Sequence, residues 1–120
     1  MGAHLLPPIF FWEPNDLVAF DSVGIAERYL EPQDVLAGGC GLGFDSEGRG
    51  IVASVQKGGA RHSLGFDDRV RVTRDPSRSV GPGEMREIFR EYLTACGKQL
   101  QGRESLEELM SLAVSLARTH

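Results

Sequence analysis

The chain has 120 residues and a mass of 13.1 kDa, long enough for one domain with a core that needs no metal or disulfide staple. Hydrophobic residues make up 41% and charged residues 25%, which excludes the compositions of disordered chains. With 17 acidic against 13 basic side chains the net charge is −4, which speaks against nucleic acid or an anionic membrane as partner and for a basic one.

The first twelve residues are apolar but lack a basic leader and are broken by Pro7 and Pro8. They predict neither a signal peptide nor a membrane span, and they lay Phe10, Phe11 and Trp12 onto the core. Cys40 and Cys96 are too few and too far apart for a disulfide framework, and a reducing cytosol is the expected compartment. After the turn signal Glu13-Pro-Asn-Asp16, the run Leu17 to Phe20 predicts a strand. Ser22 then caps a helix whose Val23, Ala26 and Leu30 share one face, with Glu27 and Arg28 toward solvent and Pro32 as its end. Asp34 to Gly41 is a glycine-rich connection.

Leu42–Asp45 and Gly50–Val55, separated by Ser46-Glu-Gly-Arg49, predict a β-hairpin in which Gly48 supplies a positive φ and Ile51, Ala53 and Val55 share a face. Lys57 to Ala60 makes a further turn. Arg69 to Arg74 alternates polar and apolar residues as a half-buried strand does, with its arginines toward water. Asp75 to Gly83 reads as the one long loop. Met85, Ile88, Phe89, Tyr92, Leu93 and Cys96 recur at helical spacing, and Gly97 stops that helix. Ser105 and Glu108 form a capping box for a last helix with Leu106, Leu109, Met110, Ala113 and Ala117 on its apolar face. The expected fold is an α+β domain over residues 1–120, with an antiparallel sheet of about four strands, one early helix and two C-terminal helices packed on one face.

No catalytic grouping stands out. His4, His62 and His120 have no patterned partners, and pairing of Cys40 with His62 as nucleophile and base would depend on proximity in space. Gly38, Gly39, Gly41 and Gly43 suggest an anion-cradling loop, yet no Gly-Lys-Ser/Thr follows and the next element is a strand where a helix is needed. No cofactor and no metal are expected. Asp45, Glu47, Asp67 and Asp68 fall in predicted turns, where carboxylates are solvated or form an acidic patch for a basic partner.

Two resemblances bear on function. Asp21-Ser-Val23 with Ala26-Glu-Arg-Tyr-Leu-Glu-Pro-Gln-Asp-Val35, then Phe44-Asp-Ser-Glu-Gly-Arg49, is similar to immunity proteins of contact-delivered bacterial toxins, including Rhs-type and type VI secretion effectors. Glu84 to Leu93 and Ser105 to Leu109 are similar to the two closing helices of that pattern. This resemblance implies a non-enzymatic cytoplasmic binder that occludes the active site of a cognate toxin domain. Its expected contacts are Asp45, Glu47, Asp67 and Asp68 with the exposed arginines Arg69 and Arg71. Alternatively, Gly41-Leu42-Gly43-Phe44 resembles the carboxylate-binding loop of PDZ domains, with Gly50–Val55, Gly58–Ala60 and Asp68–Val70 in the matching order. That likeness implies capture of a peptide C-terminus by backbone amides and strand addition. It lacks a basic residue closely before Gly41 and a His opening the helix near Glu84.

Overall fold

A computed structural model describes residues 4–14, 16–56 and 68–119. Strands β1 (Ile9–Glu13) and β2 (Asp16–Phe20) form a hairpin, followed by helices α1 (Val23–Tyr29) and α2 (Pro32–Leu36). Strands β3 (Leu42–Phe44), β4 (Arg49–Gln56) and β5 (Arg69–Ser79) come next, then helices α3 (Pro82–Ala95) and α4 (Leu106–Leu116). Five strands pair antiparallel in the order β5-β4-β3-β1-β2, and the two-residue β6 (Arg118–Thr119) adds in parallel to β2. The α+β expectation therefore holds, with five antiparallel strands where about four were expected.

The extra strand is β1, whose residues carry no polar alternation because both of its faces are covered, one by each core cluster. Phe10 joins one core cluster with Leu17, Phe44, Phe89, Leu93 and Leu109, beneath α3 and α4. Its neighbours Ile9 and Phe11 join the other, with Phe20, Ile51, Val70, Val72 and Ala26 of α1. Phe10 packs against the rings of Phe44 and Phe89 at centroid distances of 5.3 and 5.1 Å. Each such buried side chain contributes about 1.5–3 kcal/mol.

Local signals act where the sequence places them. Ser22 Oγ accepts the Ile25 N–H at 3.1 Å and starts α1. Pro32 both ends α1 and opens α2, so part of the expected glycine-rich connection is helical; proline at the first helical position has its φ preset and needs no donor. Ser105 Oγ and the Glu108 carboxylate exchange bonds with each other's backbone N–H, each at 3.1 Å, as the capping box requires. Gly97, at φ 87°, closes α3, with its N–H on Thr94 O and the Lys98 N–H on Leu93 O. Cys96, expected on the core face, is exposed because it is the cap residue beyond the last buried turn.

Strand β5 does not stop at Arg74 but runs to Ser79, so most of the expected loop at 75–83 is strand. Arg49 pairs with Ser79 and Ile51 with Arg74, which forces residues 75–78 to bulge. Asp75 braces the bulge by accepting the Ser77 N–H at 3.1 Å and its hydroxyl at 2.6 Å. Pro76 is tolerated there because β5 is an edge strand and a bulge needs no ladder donor.

Candidate partner-binding surface

The three described acidic candidates stand in different settings, one buried, one exposed and one half-buried. Asp45 is fully buried. Its Oδ1 accepts the N–H groups of Glu47 and Arg49, and its Oδ2 that of Leu6, each at 2.9 Å. The solvated-turn expectation for Asp45 is thereby corrected: its carboxylate braces the β3–β4 turn and ties the N-terminal segment to it. Glu47 is exposed and pairs with Arg49 at 3.0 Å. Asp67 lies outside the described residues, as do His62 and the turn at 57–60. Asp68 is half-buried at the start of β5.

Gly41 to Phe44 sits in the middle of the sheet. Strand β3 is bonded to β1 on one side and to β4 on the other, so the strand addition implied by the PDZ likeness has no free edge there. Phe44 is fully buried. A Cβ on Gly43 would lie 2.8 Å from Phe11 Cε1 and 2.9 Å from Ile51 O, so this glycine exists to let the Phe11 ring cross the strand. The preceding glycines lead into a strand and present no helix N-terminus to an anion. Cys40 is half-buried, and burial, then the charges of Asp34 and Glu13, push its thiol pKa up, the wrong direction for a thiolate nucleophile.

Arg69 and Arg71 are exposed as expected. Across the β4–β5 ladder Val52 opposes Thr73, Ser54 opposes Arg71 and Gln56 opposes Arg69, and directly opposed residues share a face. All six are exposed, Val52 at 40%. The other face of the same ribbon carries Val70 and Val72, both buried under α1 and α2. The ribbon thus has one anchored face and one open polar face, on which two arginines stand about 7 Å apart at the two-residue spacing of a strand. Among the described residues neither arginine is ion-paired.

Sequence periodicity put Glu27 toward solvent, but the fold gives it a partner. Its Oε2 accepts the backbone N–H of Val72 at 2.8 Å, joining α1 to edge strand β5. No local signal marks such a contact, since the partners are 45 residues apart. Among the described residues no group of three His, Cys, Asp or Glu side chains is placed to hold a metal ion, and no helix is long and apolar enough to cross a membrane.

Fold and surface define an α+β domain whose ribbon is open on one side. Neither a family model, a curated protein nor a solved structure matches this chain.

Proposed function

We propose that this chain is an immunity-type protein: a non-enzymatic domain that neutralises a cognate toxin inside the producing cell by covering the toxin's active site. The observation that supports this reading is the open face of the β4–β5 ribbon, with Arg69 and Arg71 exposed beside Val52, Ser54 and Gln56. A sheet face fixes the backbone positions of its side chains, so the ordering cost of binding falls on the side chains and not on the backbone. Arginine suits such a contact because its planar fork meets a carboxylate with two parallel bonds. Buried Val70 and Val72 hold the ribbon from behind, so a partner pressing on the open face meets an already ordered surface.

The test is co-expression with the toxin domain encoded immediately upstream, reading growth rescue and co-purification. Rescue with a stable one-to-one complex supports the reading. The double variant Arg69→Glu with Arg71→Glu keeps its fold, because both side chains are exposed, and weakens the complex by tenfold or more, about 1.4 kcal/mol. Loss of rescue and of complex with the wild-type chain folded and the toxin active would sink the immunity reading. Rescue untouched by the double variant would move the interface off the ribbon.

A further inference from the structure

We infer that the outer edge of β5, in the groove it shares with α1, is a strand-addition site for an extended acidic segment of a partner protein, with Glu27 as a displaceable cap. The inference goes beyond the immunity reading and needs no toxin.

Three observations carry it. The first is the direction of the backbone. In an antiparallel edge strand, alternate residues turn their N–H and C=O away from the sheet, and the Val72 N–H on Glu27 fixes which ones do so in β5. Val70, Val72 and Arg74 are the outward set. Glu27 thus occupies one donor of a template that spans about 20 Å from Asp68 to Arg74, at ~3.3 Å per residue.

The second is space. Two clefts flank α1 along this edge. One, of about 670 Å³, is lined by Val23 of α1 and by Val72, Thr73 and Arg74. The other, of about 570 Å³, is lined by Gly24, Glu27 and Arg28 and by Asp68 to Arg71. Together they follow β5 over its whole regular stretch, interrupted at the Glu27 contact. An extended chain needs only the clefts beside α1, whereas a second folded copy pairing edge to edge would bring its own α1 against this one.

The third is charge. Among the described residues the two clefts carry four arginines, Arg28, Arg69, Arg71 and Arg74, against two carboxylates, Glu27 and Asp68, in a chain whose net charge is −4. Arg74 Nε is buried without a hydrogen-bond acceptor, and its side chain lines the larger cleft. A buried donor left unpaired is costly, and a carboxylate or carbonyl arriving in the cleft supplies an acceptor once the half-buried Arg74 side chain turns toward it. An extended segment with acidic side chains at alternate positions pairs its backbone with β5 and meets the arginines. Its carbonyl takes the Val72 N–H, and the Glu27 carboxylate is released to water.

The test uses the full chain and a fluorescein-labelled octapeptide alternating valine and glutamate, read by fluorescence anisotropy. Saturable binding is expected, lost when alternate peptide amides are N-methylated and absent for the valine–lysine counterpart. Glu27→Ala tightens binding about fivefold, equivalent to ~1 kcal/mol, because the cap no longer competes. Glu27→Gln, which keeps an acceptor, gives a smaller gain and guards against a variant that fails to fold. Hydrogen exchange of the Val70 and Arg74 amides slows when peptide binds. No saturable binding, binding indifferent to N-methylation, or protection elsewhere on the sheet would overturn the inference. Concentration-dependent dimers with the same amides protected in the absence of peptide would overturn it in favour of a second copy.

Discussion

Replacing Asp45 tests whether one buried carboxylate holds the N-terminal segment and the hairpin together. It accepts three backbone N–H groups at 2.9 Å, from Leu6, Glu47 and Arg49, and lies 3.7 Å from the Arg49 guanidinium. In Asp45→Ala those donors lose their acceptor, and each buried unsatisfied donor costs about 1–3 kcal/mol. Partial solvent access to the turn and non-additivity bring the expected total to about 4 kcal/mol, within the range for breaking a buried charged contact. A domain of this size has about 6–18 kcal/mol of stability, so the loss is a large fraction of it. At ~4 °C per kcal/mol the midpoint falls by about 15 °C. Asp45→Asn retains the oxygen that serves Glu47 and Arg49 but turns an amide donor toward the Leu6 N–H, and costs about 2 kcal/mol. Urea and thermal unfolding followed by circular dichroism measure both. A loss below about 1 kcal/mol for Asp45→Ala, or an Asn variant no better than Ala, would refute the brace.

Two further outcomes follow from shifted side chains. Burial, then the hydrogen bond with the Cys96 side chain, pushes the Tyr92 phenol up to about 12. The fold holds the neutral form, so that part of stability is intact below about pH 10 and disappears as pH rises through about 12. The urea midpoint should fall across that window, and Tyr92→Phe should flatten the fall; an unchanged slope would refute it. The two thiols should separate in labelling with a disulfide reagent at pH 8: exposed Cys96 reacts first, and Cys40, half-buried with a raised pKa, reacts slowly. Cys96→Ser should remove the fast phase, and its persistence would reverse the assignment.

What the sequence made legible was local. The Ser22 cap, the Ser105 and Glu108 box, the Gly48 turn and the stripe from Met85 to Leu93 each depend on residues a few positions apart, and each is found where its pattern places it. Strand β1 escaped because burial on both faces erases the alternation by which strands are recognised. The far half of β5 escaped because Pro76 reads as a loop residue, and only the bulge opposite Arg49 to Ile51 lets a strand carry it. At the candidate surface, exposure of Arg69 and Arg71 was legible from the alternation in β5. The burial of Asp45 was not, since Leu6 must come 39 residues along the chain to meet it. Glu27 was misplaced for the same reason, its partner lying across the fold on the sheet edge.

Charge acts on two length scales in this molecule. Within a Debye length or so of the surface, about 8 Å at physiological salt, an approaching partner responds to the net charge of −4 before any contact forms, and a basic partner is drawn in. At contact, one acidic candidate is locked inside the β3–β4 turn and another is paired with Arg49, while the ribbon and its edge present arginines. Under the immunity reading both conditions are met by one kind of partner. An enzyme that acts on an anionic polymer carries a basic cleft, yet the groups that do its chemistry are often carboxylates. On that reading its overall field would attract this chain, and its carboxylates would be the groups that Arg69 and Arg71 meet. Net charge, taken alone from the composition, describes only the first of these steps.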